Sequence, residues 1–183
     1  MRLTWTRWVA CVFVLLSVLL LPSAAVAQES KSAALAQELA TLLDKNKIDA
    51  IAAKDPASPD SYVAALYFPG SQLLVASARY SAPLILNEKL AKKEYREVYT
   101  DLNSASIAGS LVLVMDMGAD GLQPKRVENR IDTCDANARS LVLDGDWKKQ
   151  QMASEEDYNK RFADADARYV KMLTALIAQA KKM

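Results

Sequence analysis

The side chains best suited to chemistry in this chain are acidic and basic groups at predicted turns and strand ends. Histidine does not occur among the 183 residues, which excludes Ser-His-Asp and Cys-His catalysis and most zinc and copper site designs. Carboxylates are abundant, but the sequence places no pair of them across a cleft, so a paired-carboxylate hydrolase gains no support. The sequence therefore leans towards a non-enzymatic role and leaves catalysis open.

The main candidate for ligand binding lies where a predicted strand ends and a predicted helix begins. Arg79 closes the strand, Ser81 opens the helix and Lys89 follows on the helix. A guanidinium, a hydroxyl and the positive end of a helix together make an anion pocket. The alternative is that Arg79 pairs with a surface carboxylate and that the lysine is solvated.

Two aspartate-rich turns, residues 116–121 and 144–146, superficially resemble calcium sites. Hard cations take several carboxylate oxygens from a tight turn, but neither segment has the spacing or the distal glutamate of an EF-hand loop. Turn formation, in which the aspartate accepts hydrogen bonds from nearby backbone N–H groups, accounts for both. We therefore predict no metal site.

Residues 1–27 are expected to be a secretory signal peptide. Arg2 and Arg7 precede an apolar stretch at residues 9–21, and small residues at 25 and 27 form a cleavage pattern. The alternative is a membrane anchor, but those thirteen residues would reach only roughly 20 Å as a helix, short of a hydrocarbon core of about 30 Å. We expect export to the periplasm or beyond the cell.

Cleavage after residue 27 would leave 156 of the 183 residues as a single domain, 28–183, large enough for a core without disulfides. Without Arg2 and Arg7 the 23 basic residues fall to 21, against 22 acidic ones. No long run of one charge occurs, so neither nucleic acid nor an anionic membrane surface is an expected partner. Cys134 would be the only cysteine, and we interpret it as a buried free thiol, with redox chemistry or intermolecular pairing as the alternative.

Residues 62–80 predict the hairpin around which the fold is built. Two apolar runs flank Pro69 and Gly70, a pair suited to the corners of a type II turn. Both runs are apolar on both faces, so the hairpin should lie centrally, covered on both sides or within a partly closed barrel. Continuous apolar residues predict further strands at 110–116 and 140–144.

Three helices are predicted around this sheet. Residues 33–45 form an amphipathic helix that Ser30 or Ser32 can cap, residues 81–93 a middle helix, and residues 155–181 a long C-terminal helix. Ser154 and Asp157 resemble a capping box at the start of this last helix. Residues 98–102 fit either a strand or a helix, and a strand is favoured. The fold class is therefore α+β, with a small antiparallel sheet. The C-terminal helix is expected to pack on the sheet, and pairing with a second copy is the alternative.

In the order of these elements, residues 62–117 are similar to the flavin-binding split-barrel class. The resemblance implies an FMN cofactor whose phosphate is held by basic residues near strand ends and the following helix, here Arg79, Ser81 and Lys89. The chain also resembles short secreted bacterial proteins that carry no assigned activity. We therefore expect an exported binding or interaction domain of the cell envelope, its partner an envelope protein or a small ligand. A flavin or another phosphate-bearing ligand is the alternative.

Overall fold

The computed structural model describes residues 30–70, 72–80, 92–94, 96, 110–124, 131–136, 139–143 and 152–183. Six strands form one antiparallel sheet in which every strand pairs with the next along the chain. The strands are β1 (Ala50–Lys54), β2 (Ser61–Phe68), β3 (Gln72–Arg79), β4 (Ser110–Met117), β5 (Thr133–Ala136) and β6 (Arg139–Val142). The first and last strands pair with one neighbour each among the described strands, so this sheet is open. The partly closed barrel, which the sequence left as an alternative, is not observed.

Two helices, α1 (Ala33–Asn46) and α2 (Glu155–Ala180), pack on one face of the sheet, which we call the helix face. Each helix buries one apolar stripe, as the three-to-four spacing of its sequence predicts. Together with alternate residues of the strands, these stripes form the main core. Its largest fully buried side chains include Leu39, Leu43, Val63, Leu73, Phe162, Tyr169, Met172, Leu173 and Leu176. The α+β class and the packing of the C-terminal helix on the sheet are confirmed.

The central hairpin has the predicted geometry. β2 and β3 pair from Ser61 opposite Arg79 to Phe68 opposite Gln72, and Gly70 between them has a φ of 72°. The side chains on the opposite face of these strands are also buried, including Tyr62, Ala64, Leu66, Leu74, Ala76 and Ala78. Burial on both faces confirms that the hairpin lies centrally.

The start of α1 corrects one detail of the sequence prediction. Ser32 occupies the N-cap position, but its side chain accepts no capping hydrogen bond from the helix. Its hydroxyl accepts instead from the backbone N–H of Leu122 at 3.0 Å. The carboxylate of Asp166 on α2 accepts from the N–H groups of Lys31 and Ser32 at 2.8 and 3.1 Å and so satisfies the entry to α1. At α2 the predicted cap is confirmed, since Ser154 accepts from the N–H of Asp157 at 3.1 Å.

Two strands were not predicted. β1 and β5 both fall in segments for which the sequence indicated no helix or strand. The segment 98–102, the turn 144–146, the leader 1–27 and nearly all of the predicted middle helix lie outside the described residues. Within the described parts of the chain, no helix is both long and apolar enough to cross a membrane.

Candidate functional site

A cavity of about 200 Å³ lies between α2 and the end of the sheet formed by β4, β5 and β6. We call it the α2 cavity. Strand alternation turns Val112, Cys134 and Leu141 towards the helix face, because neighbouring strands place Val114 opposite Cys134 and Cys134 opposite Leu141. The described lining is completed by residues of α2, namely Arg161, Asp164, Ala165 and Arg168.

The inner wall of the α2 cavity is apolar. It combines Val112, Leu141 and Ala165 with the thiol of Cys134, which is 4% exposed. Burial raises the pKa of Cys134 to about 12, and the negative charge of Asp135 adds to the increase. The thiol is therefore protonated at neutral pH and is a poor nucleophile. Burial of Cys134 confirms the interpretation of this residue from the sequence.

Charged side chains form the mouth of the cavity. Arg161 donates through Nε to both carboxylate oxygens of Asp157, at 3.2 and 3.1 Å, in an exposed i,i+4 pair. Exposed pairs of this kind contribute only about 0.3–0.5 kcal/mol, so a ligand can displace this one at little cost. Asp164 is exposed and makes no hydrogen bond or ion pair with any other described residue. Both groups are therefore available at the mouth.

Arg168, deeper in the cavity wall, is held by a buried carboxylate. Its two terminal nitrogens donate to the two oxygens of Asp55, one of them at 2.9 Å, and one also lies 3.0 Å from the hydroxyl of Ser77. Asp55 also accepts from the hydroxyl of Ser77 and from the N–H of Ala57. Burial by itself would raise the pKa of Asp55, but the bonds from Arg168, Ser77 and Ala57 outweigh it and hold the pKa below its usual value. Arg168 is thus fixed and neutralised.

Two further carboxylates, Asp116 and Asp132, are buried against the loop that follows β4. Asp116 accepts from the N–H groups of Asp120 and Gly121 at 3.1 and 3.0 Å and from the hydroxyl of Tyr169 at 2.9 Å. Burial raises its pKa to about 6, although these three hydrogen bonds oppose the increase. The turn that superficially resembled a calcium loop is thus organised by aspartate bonds to the backbone, as predicted.

Asp132 holds the other side of the same loop. Its two oxygens accept from the N–H groups of Met117 and Gln123, each at 2.8 Å. Burial and, second to it, the nearby negative charge of Asp116 together raise its pKa to about 8, although the two backbone hydrogen bonds oppose the increase. Neither Asp116 nor Asp132 is among the residues that line the α2 cavity, so we assign this pair to the stability of the fold.

The stability of the protein is expected to fall as the pH rises from about 5 to about 8. In the unfolded chain an aspartate loses its proton near pH 4, whereas the pKa of folded Asp132 is about 8. Over this interval the folded state binds more protons than the unfolded state, so the free energy of unfolding decreases with pH. The slope reaches about 1.4 kcal/mol per pH unit for each such group, and Asp116 acts in the same direction up to about pH 6. Asp55 acts in the opposite direction, because its pKa is lower in the folded state than in the unfolded chain. Its contribution to the free energy of unfolding is lost only as the pH falls below about 4.

Guanidinium unfolding of the original protein and of Asp132→Asn at pH 5 and pH 8 measures this effect. In the original protein the free energy of unfolding should decrease between pH 5 and pH 8. Asparagine does not titrate, so most of this decrease should be absent from the variant. A decrease of equal size in both proteins would contradict the assignment to Asp132.

The structure places the residues singled out from the sequence differently. Cys134 lines the α2 cavity. Arg79 is exposed at the end of β3, opposite Ser61 of β2, and it is not among the cavity residues. Ser81 and Lys89 lie outside the described residues. Arg161, Asp164 and Arg168 were not predicted from the sequence, although their spacing could have indicated them. Charged residues at 157, 161, 164 and 168 recur at steps of three and four, which places them on one side of α2.

Comparison of the chain with protein-family models, with curated proteins and with solved structures finds no match.

Proposed function

We propose that this protein is an exported, non-enzymatic binding domain of the cell envelope that holds a small ligand in the α2 cavity. The observation that carries the proposal is the lining of this cavity, which joins an apolar wall to a charged mouth. Ligand sites typically combine apolar walls with a few polar groups that fix orientation. Export is supported by the basic, apolar and small-residue pattern of residues 1–27.

The lining residues favour binding over catalysis. The Cys134 thiol is buried with a raised pKa, and the guanidinium of Arg168 is engaged by Asp55. The sequence also lacks histidine, the usual general base near neutral pH. What the cavity offers is shape, apolar surface and two charged groups at the mouth.

A thermal-shift screen of residues 28–183 against small organic acids, amines and amino acids tests this proposal. A ligand present at 100 times its Kd stabilises the folded state by about 2.7 kcal/mol, which gives a measurable rise in Tm. The rise should disappear in Ala165→Leu, because Ala165 lines the cavity and a leucine there fills it. Ala167→Leu is the matched control, since Ala167 is exposed on the same helix and does not line the cavity.

Val112→Phe tests the same point from the sheet side, in case Ala165→Leu disturbs the seating of α2. Ligands that stabilise both filled variants as much as the original protein would place binding elsewhere. A screen in which no small molecule raises the Tm would overturn the proposal. FMN belongs in the screen, and quenching of its fluorescence would favour the flavin hypothesis built on Arg79, Ser81 and Lys89.

A further inference from the structure

The mouth of the α2 cavity places one cation and one anion side by side. Arg161 and Asp164 are three residues apart on α2 and both line the cavity. Residues at this spacing are neighbours on a helix surface, with Cβ atoms about 5–6 Å apart. A ligand bound at the mouth would therefore meet both charges at once.

Each of the two groups has free hydrogen-bonding capacity. Arg161 uses only Nε in its bonds to Asp157, and its terminal nitrogens donate to no other described residue. Asp164 has no partner among the described residues. Arg168 is less suited to this role, because three of its five N–H groups donate to Asp55 and Ser77 and because Asp55 balances its charge. Arg161 is thus the donor for an acidic group, and Asp164 the acceptor for a basic one.

We propose, on the basis of the binding role above, that the ligand is a zwitterion of the α-amino-acid type with a small aliphatic side chain. Its carboxylate binds Arg161, its ammonium group binds Asp164, and its side chain enters the wall formed by Val112, Cys134 and Leu141. A volume of about 200 Å³ lies below the roughly 300–1,000 Å³ typical of sites for drug-sized ligands, which favours a small ligand. This space suits a molecule the size of valine or leucine.

Charge complementarity selects a zwitterion over a simple acid or amine. A ligand with only a carboxylate would bind Arg161 but lie beside the like charge of Asp164, and Asp157 is close to the same arginine. A ligand with only an ammonium group would lie beside Arg161. Like-charge contacts of this kind disfavour the wrong ligand. Arg168 and Asp55 neutralise each other, so the deeper wall adds no net preference.

Isothermal titration calorimetry with three probes tests the inference. The probes are L-leucine, 4-methylpentanoate, which lacks the ammonium group, and 3-methylbutylamine, which lacks the carboxylate. We expect L-leucine to bind at least tenfold more tightly than either analogue. Arg161→Gln should weaken the binding of leucine and of the acid but not that of the amine. Asp164→Asn should weaken the binding of leucine and of the amine but not that of the acid. Lys160→Gln is the control, because Lys160 is exposed on the same helix and does not line the cavity.

The outcomes separate this inference from the binding role on which it rests. If 4-methylpentanoate binds as tightly as leucine and Asp164→Asn changes nothing, the zwitterion is wrong while the cavity remains a binding site. If none of the three probes and no amino acid of the thermal-shift screen binds, but simple acids or amines of that screen do, the zwitterion is again wrong. If no compound of that screen binds at all, both proposals are overturned.

Discussion

Replacing Arg168 by methionine is expected to lower the free energy of unfolding by about 3–5 kcal/mol. The substitution keeps much of the apolar stem but removes the guanidinium from Asp55, whose side chain is fully buried. Among the described residues, the side chain of Asp55 would then retain only the bonds from Ser77 and Ala57. Removing one partner of a buried ion pair is this costly because the other charge remains away from water without compensation. Guanidinium unfolding at pH 7 measures the loss.

Arg161→Met is the matched control for this experiment. It removes the same chemical group from the same helix, but the pair of Arg161 with Asp157 is exposed, so the loss should be only about 0.3–0.5 kcal/mol. The double variant Asp55→Leu/Arg168→Met should recover part of the loss, since no unpaired charge is then buried. If Arg168→Met lowers the free energy of unfolding no more than Arg161→Met does, the pair of Arg168 with Asp55 does not stabilise the fold as proposed.

Gly121→Ala is expected to destabilise the protein by roughly 2–5 kcal/mol. Gly121 has a φ of 88°. A residue with a side chain is destabilised by about 1–2 kcal/mol in this left-handed conformation. An added Cβ would also lie 2.5 Å from both Cα and N of Ala33, at the start of α1. These are backbone atoms that no side-chain rotation can move away, and forced overpacking of this kind costs about 1–3 kcal/mol more. Relief would require the loop to separate from α1, against the bond from the N–H of Leu122 to Ser32.

Gly70→Ala isolates the backbone part of this effect. Gly70 has a similar φ of 72°, but an added Cβ there meets no atom within 4 Å. Only the conformational loss of about 1–2 kcal/mol is then expected. Chemical denaturation gives the free energy of unfolding of both variants. The difference between their losses measures the cost of placing a Cβ where the loop approaches α1. Equal losses would show that this approach is not tight in solution.

The secondary structure predicted best is that which local sequence determines. The turn at Pro69 and Gly70 fixed the hairpin, and the Ser154 cap with the apolar spacing after it fixed α2, because these signals act within a few residues. Strand β5 was not predicted because it has only four residues and no continuous apolar run. It forms through the hydrogen bonds that β4 and β6 provide, and no pattern of its own indicates it.

The sequence alone determined an α+β chain with a central hairpin, a long amphipathic helix and no histidine. Only the tertiary structure decided which charged residues meet. Asp55 and Arg168 are 113 positions apart, and the cap of α1 is supplied from α2 by Asp166. In the sequence, Arg161 and Asp164 are ordinary helix residues. Only the packing of α2 beside β4, β5 and β6 places an apolar wall next to them. The physical reason is that periodicity reports which face of an element is buried but not which element covers it.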